Sequence, residues 1–479
     1  MVQYNQICSP LETDKTDQSR SITHGSVKGL LREMRGNAHA RRTGLSVQRL
    51  RKSFLLFCIG MLIAGFGLSS APKHVRAADP PALSIQAAAA ILIDAETGQI
   101  LYEKNKDELR HPASMVKMMS EYLVMEAIEN GVLSWDTIVT VSKYADAIGG
   151  SGALIAEGHK YTVEDLFKQM SIYSSNDATV ALAEAVAGSE EAFVHMMNEK
   201  AREFGLSEGA IFTNATGLNK EDTGEYSPNI PGESMFTAHD AAIIAQRIIK
   251  DHPKILEFTK IPSAPAWENG PIMLNWNRIL EGWKDYDNLF SKGAYEGLDG
   301  LKTGHTDEAG WCFTGTAKRG NIRLISVVMG TDSEQARFDE TKKLLDYGFN
   351  NFERKTIVSP KTQLDVLPTV EVPKGKEREM RVVTGSGVSY LVLKGTTDDA
   401  FTLTAEPVAE EERTAPIASG QVLGRATLTY SGPSVGIPQT VTIDLVAAED
   451  MEKAGWFTLL MRAIGDFFRD LFASIKNLF

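Results

Sequence analysis

The chain has 479 residues, with 43% hydrophobic and 23% charged residues and a net charge of −12. That is too long for one ordinary domain and has the composition of a globular protein with a sizeable core. Residues 1–77 hold 12 Lys and Arg against 4 Asp and Glu, a net +8, so the remainder carries a net −20. An acidic body argues against nucleic acid as a partner, because phosphate binding draws on clustered Lys and Arg. Neither zinc-type Cys/His spacing nor a Gly-rich phosphate loop is present, so no metal and no cofactor is expected.

In chain order, the first signal is a basic segment, Arg49, Arg51 and Lys52, before an apolar run from Phe54 to Leu68 and the small-residue string Val75-Arg76-Ala77-Ala78. This is the layout of a secretory signal, with cleavage expected after Ala77 or Ala78; the run is short for a spanning helix. Residues 1–77 are therefore expected to be leader and signal peptide. Export would remove Cys8 and Cys58 and leave Cys312, inside Trp311-Cys312-Phe313, as a buried structural thiol.

Residues 79–350 mix strand and helix signals. Ala88–Asp94 and Gly98–Glu103 flank Ala95-Glu96-Thr97-Gly98 and predict a hairpin. From Ser114 to Glu129 the pattern is helical and apolar nearly all round, which predicts a buried central helix. Helices are also expected over Thr162–Met170, with Thr162 and Asp165 as a capping pair, then Asp177–Val186, Ala192–Phe204 and Asp339–Tyr347. Strands are expected at Trp311–Ala317 and Ile322–Met329. A hairpin, then helices, then strands predicts an α/β fold with a largely antiparallel sheet.

Beyond Phe352, short strand-like runs (Ile357–Leu367, Thr369–Val372, Glu379–Val383, Ser389–Leu393, Phe401–Glu406, Gln421–Tyr430, Val441–Val446) predict a small all-β domain over 353–447. In the final segment, 450–479, Trp456, Phe457, Leu460, Ile464, Phe467, Phe468, Leu471, Phe472, Ile475, Leu478 and Phe479 recur at steps of three and four. Arg462, Asp466, Arg469, Asp470, Lys476 and Asn477 occupy the other face. This predicts an amphipathic helix lying in a membrane surface, with packing against the protein itself as the plainer alternative.

Three elements carry chemistry. In Ser114-Met115-Val116-Lys117 the lysine lies one helical turn beyond the serine, on the same face. A serine hydroxyl is a weak nucleophile unless a neighbouring base takes its proton, and a lysine can do so only when neutral. Burial and a second cation both lower a lysine's pKa, and Lys302 is a candidate for that cation. In Ser174-Ser175-Asn176, Ser174 can relay a proton to a leaving amine and Asn176 can hold Lys117 and a substrate amide. Lys302-Thr303-Gly304, followed by His305-Thr306, predicts a strand edge lining a cleft. There Lys302 and Thr303 offer a cation and a hydroxyl to a carboxylate, Gly304 allows close backbone approach, and His305 offers a backbone N–H to an oxyanion. Each string alone also has a bland reading, as a helix cap or a solvated lysine; their order and combination make the site.

That combination, with Phe212-Thr213-Asn214-Ala215-Thr216-Gly217-Leu218, resembles the serine-type D-Ala-D-Ala carboxypeptidases, the low-molecular-mass penicillin-binding proteins. The resemblance implies a serine β-lactamase/transpeptidase-like domain, a β-rich C-terminal domain and an anchoring helix at the outer face of the bacterial cytoplasmic membrane. It implies acylation of Ser114 by the peptidoglycan stem peptide with loss of the terminal D-Ala, and β-lactams as covalent inhibitors of the same serine. It also places Arg337, in Gln335-Ala336-Arg337-Phe338-Asp339, near the substrate carboxylate. Ser175 departs from the glycine common in relatives, and is expected to affect the loop more than the chemistry. Two alternatives remain open. A class A β-lactamase would carry the same three elements plus a glutamate string, which Glu225-Tyr226-Ser227-Pro228-Asn229 fits literally. A non-catalytic envelope protein would keep the fold and only bind wall peptide.

Overall fold

The computed structural model describes residues 81–476 apart from 153–154, 287–291 and 434–435. The predicted leader, its cleavage site and the last three residues of the tail lie outside the described residues.

A five-stranded antiparallel sheet organises the first part. Its strands are β1 (Ala89–Asp94), β2 (Ile100–Lys104), β3 (Leu298–Thr306), β4 (Gly310–Arg319) and β5 (Ile322–Thr331), in the order β2-β1-β5-β4-β3. Alternate residues of β1 enter different cores. Ala89, Ile91 and Ile93 pack with the helices on one face, while Ala90 and Leu92 pack on the other. Both faces are thus covered, which is why β1 reads as a continuous apolar run instead of an alternating one. The edge strand β3 carries the Lys302-Thr303-Gly304 string, leaving one side of its backbone unpaired in the sheet.

Helix α1 (Lys117–Glu129) follows a single 3₁₀ turn, Ala113–Val116. Ser114 therefore sits in this tighter turn, one step ahead of the α-helix it was expected to open. Every residue of α1 from Lys117 to Met125 is buried. Around it pack α2 (Asn176–Ala187), α3 (Glu190–Phe204) and α4 (Ala238–Asp251). The predicted cap at Thr162 forms, its hydroxyl accepting from the Asp165 amide at 3.1 Å, but the helix ends at Lys168 and continues as one π turn, Gln169–Tyr173. Helix α5 (Glu334–Asn351) starts five residues earlier than expected, because Ser333 caps it by accepting from the Ala336 amide at 3.1 Å.

Strand β6 (Phe352–Val358) leaves α5 directly and pairs with β9 (Val388–Leu393). A second five-stranded sheet contains β7 (Thr369–Glu371), β8 (Glu379–Thr384), β10 (Phe401–Pro407), β11 (Val422–Tyr430) and β12 (Thr440–Ala447), ordered β7-β8-β12-β11-β10. The expected strand Ile357–Leu367 is cut short at Val358. Pro360 has no N–H to give a ladder, and Lys361 adopts a left-handed backbone with φ 55°.

The junction is polar and buried. Arg354 donates to Asp94 at 2.6 Å, with Asp94 fully buried. The Gln99 amide pairs with the Leu391 backbone, donating to its carbonyl at 2.7 Å and accepting its N–H at 2.9 Å. Last comes helix α6 (Trp456–Lys476).

Candidate active site

The Ser114 turn is held in place by close backbone packing. Ala113 takes a left-handed φ of 48°. Behind it Gly217 has φ 80°, and a side chain there would bring Cβ within 2.0 Å of the Ala113 carbonyl oxygen. Gly304 meets the same turn from β3, where a Cβ would lie 2.7 Å from the Pro112 carbonyl oxygen. The glycine was expected to admit a substrate backbone; its first constraint is this contact with the turn that carries Ser114.

Lys117 is fully buried. Its ammonium nitrogen lies 3.0 Å from Ser114 Oγ, 2.7 Å from Asn176 Oδ1 and 2.7 Å from the Thr216 carbonyl oxygen. Burial lowers its pKa well below the ordinary lysine value, and the Lys302 charge lowers it further, against the opposing pull of Glu121, Asp177 and Glu190. The string Phe212–Leu218 thus contributes a lysine-holding carbonyl. Asn214 orders its bend by accepting from Thr216 N–H at 3.1 Å and Gly217 N–H at 2.6 Å.

Ser174 follows the π turn in a left-handed conformation, φ 63°. Its hydroxyl accepts from Lys302 Nζ at 2.8 Å, and Lys302 also donates to the Thr303 carbonyl at 3.1 Å. Lys302 is 2% exposed and stands behind Ser174. Asn176 Nδ2 donates to Gly149 O at 2.8 Å, which fixes the face its Oδ1 turns to Lys117. Ser175 is buried in an extended conformation open to any residue, φ −61° and ψ 123°, consistent with a departure that leaves the site intact.

These groups open onto a cleft of about 240 Å³ lined by Ser114, Ser151, Ser174, Trp276, Thr303, Gly304, His305, Trp311 and Arg337. Arg337 is 2% exposed, so it is not a solvated arginine at a helix start. It donates to the Gly304 carbonyl at 3.3 Å and pairs with Glu334 at 3.2 Å, with its guanidinium 4.9 Å from the Trp311 ring centre. Burial lowers its pKa to about 10, which leaves it a cation at neutral pH. The His305 ring stacks on Trp311 with centres 3.8 Å apart. Burial and the Arg337 charge push its imidazole below the ordinary value.

Ser151, Trp276 and Trp311 were not anticipated as cleft residues. Ser151 Oγ and Trp276 Nε1 both donate to the Tyr173 carbonyl, each at 2.9 Å, and this closes the π turn beside Ser174. Glu121 was also overlooked, although a carboxylate within an otherwise apolar helical run is itself a signal. The literal Glu225–Asn229 string covers the end of a 3₁₀ segment, Lys220–Tyr226, and Asn229 is exposed with its amide on Glu191.

A serine beside a buried, cation-flanked lysine, at the edge of an antiparallel sheet covered by helices, defines a serine acyl-transferring enzyme of the α/β class. Comparison with known proteins makes this specific. Residues 74–333 match the D-alanyl-D-alanine carboxypeptidase family, and 352–453 match the C-terminal domain of penicillin-binding protein 5. The chain is 35% identical over 413 residues to the D-alanyl-D-alanine carboxypeptidase DacF of Bacillus subtilis, covering 85% of this chain and 96% of that one. Among solved structures it is similar to the peptidoglycan synthesis regulatory factor PBP3 of Streptococcus pneumoniae (33% identity, TM-score 0.63, 77% of this chain, 100% of that one). It is also similar to penicillin-binding protein 5 of Haemophilus influenzae (28%, TM-score 0.64, 78% and 99%). The chain belongs to the D-alanyl-D-alanine carboxypeptidase family and is a serine-type hydrolase of the low-molecular-mass penicillin-binding proteins.

Proposed function

We propose that the chain removes the terminal D-Ala from peptidoglycan stem pentapeptides through an acyl-enzyme on Ser114, and that β-lactams acylate the same oxygen. The observation that carries this reading is the Ser114–Lys117 contact of 3.0 Å, with Lys117 fully buried and Lys302 behind it. Neutral Lys117 takes the Ser114 proton as Oγ attacks the carbonyl of the penultimate D-Ala. The backbone N–H groups of Ser114 and His305 receive the oxyanion. Asn176 holds Lys117 and the substrate amide. Ser174, bonded to Lys302, delivers the proton to the departing amine. Thr303 and Arg337 face the cleft as a hydroxyl and a cation for the terminal carboxylate, with Lys302 adding charge from behind. Water then releases the acyl group.

Four parts serve this chemistry: 1–77 as leader and signal peptide, 79–350 as catalytic domain, 353–447 as a β-rich spacer, and 450–479 as a membrane-anchoring helix. Among the described residues no helix is long and apolar enough to cross a membrane. Among the described side chains of α6, only Leu459, Arg462 and Asp466 are half-buried, and they form one stripe. Arg462 donates to the Gly375 and Lys376 carbonyls at 2.8 and 2.7 Å, and Arg378 donates to Asp466 at 2.8 and 3.0 Å. The β domain thus takes the polar stripe and leaves the aromatic one outward. This supports a membrane surface over packing on the protein itself, in keeping with the proposed position at the outer face of the cytoplasmic membrane.

Mass spectrometry of a pentapeptide ending in D-Ala-D-Ala tests the activity: loss of one D-Ala is expected, and an unchanged peptide overturns the reading. Penicillin should leave a long-lived adduct on Ser114. Rapid turnover of the drug would instead support a β-lactamase.

A further inference from the structure

Helix α1 presents Lys117 and Glu121 four residues apart on a single face, and Ser114 sits in the 3₁₀ turn that leads into it. The mechanism above uses Ser114 and Lys117. Glu121 is fully buried, and neither carboxylate oxygen has a hydrogen-bond partner in the structure. The Ser171 hydroxyl, in the π turn beside it, is buried and likewise without a hydrogen bond of ordinary geometry. An isolated carboxylate in an apolar helix would be among the most costly groups a protein can bury, so its neighbours decide what it does. From α1 it faces Lys117, from β3 it faces Lys302, and from the π turn it faces Ser171. The remaining charges act through the lysines: Asp177 and Glu190 face Lys117, and Arg337 faces Lys302.

We propose that Glu121 is a positioning residue of the acyl-transfer site, the buried counter-charge of the Lys117–Lys302 pair that lets Lys302 stay cationic while Lys117 is neutral. The inference rests on the reading of Ser114 and Lys117 given above. With Lys302 charged and Glu121 ionised, these two groups offset each other, so Lys302 keeps its charge while Lys117 loses its proton, which is the state that attack by Ser114 requires. Burial supports the same picture. It raises the Glu121 carboxyl above the ordinary carboxylate range, against the pull of Lys302, Ser171 and Lys117. It also lowers Lys302, which the Glu121 charge holds up. Glu121 and Lys302 therefore titrate as a pair.

The sign of a substitution follows. Glu121→Gln keeps the shape and removes the negative charge that raises both lysines. Both then release protons at lower pH, and both limbs of the pH profile for Ser114 acylation should move toward acid by about one unit. Penicillin labelling of Ser114 in the full chain, as a rate against pH, measures this beside a thermal melt that checks folding. Limbs that stay in place with only a uniform drop in rate, or limbs that move toward base, overturn the proposal. If Glu121→Gln does not fold, Glu121→Leu, which leaves no buried polar group to satisfy, carries the test: it removes the same negative charge and should give an acid shift of the same sign; unmoved limbs again overturn it. Failure of the underlying reading looks different: the wild-type chain would show no adduct on Ser114, or Lys117→Ala would label at the normal rate.

Discussion

Helix α1 buries Lys117 and Glu121 completely, whereas helix α6 leaves Trp456 77% and Phe472 69% exposed. In most proteins these residue types would trade places. The two departures have different remedies. Charges in α1 are answered inside the molecule, by Asn176, the Thr216 carbonyl and one another. The aromatic stripe of α6 has no answer within the described residues, because the β domain grips the opposite face. A buried charge cluster therefore points to chemistry done within the chain, and an outward apolar stripe points to something outside it.

The largest effect on this contrast should come from Ser114→Ala. It removes the nucleophile and leaves the buried charges in place, so release of D-alanine should fall by on the order of 10³-fold or more. Retained release would contradict the assigned nucleophile. Lys117→Ala comes next. Loss of a positioned base costs about 10²–10⁴-fold, read as the acylation rate with penicillin. Labelling at the normal rate would remove the lysine from the mechanism.

The pH dependence sharpens the α1 side. In the proposed mechanism acylation needs Lys117 neutral, so the rate should rise as pH passes upward through its lowered pKa. The same mechanism needs Lys302 as a cation, so the rate should fall as pH rises through the Lys302 pKa, itself lowered by burial. The optimum should lie well below the ordinary lysine range of about 10.4. A kcat/KM that keeps climbing to that range would show that neither lysine is shifted.

For α6, deletion of residues 450–479 should move the protein from the membrane to the soluble fraction with its peptidase rate unchanged on a soluble peptide. Each apolar side chain fully withdrawn from water contributes about 1.5–3 kcal/mol, so several acting together hold a chain at a surface. A truncated chain that still pellets with membranes would assign the anchor elsewhere.

How much of this was legible in the sequence follows the range of the interactions. Ser114 and Lys117 were readable because their relation is one helical turn, and the α6 stripe because its period is local. Lys302, Ser174 and Arg337 were readable as strings but not as geometry. That Lys302 stands behind Ser174 depends on β3 being the sheet edge, and that Arg337 is buried depends on the Ser333 cap starting α5 early. Glu121 stands out only once Lys302 is known to face it from another element. Helix α4 is absent from the expected elements, although Thr237 and Asp240 form a capping box plain in the sequence.

The smallest effect concerns how α6 is held. Arg378 and Asp466 are both more than 40% exposed, and such pairs contribute about 0–1 kcal/mol. Arg378→Ala should therefore leave membrane binding nearly unchanged, because Arg462 still donates to two backbone carbonyls and keeps the polar stripe against the β domain. Arg462→Ala removes those two bonds and should loosen the helix further, seen as faster tryptic cleavage near Lys453 in detergent-free, membrane-free protein. If Arg378→Ala loosens it more than Arg462→Ala does, the surface ion pair and not the carbonyl grip sets the direction in which the aromatic stripe faces.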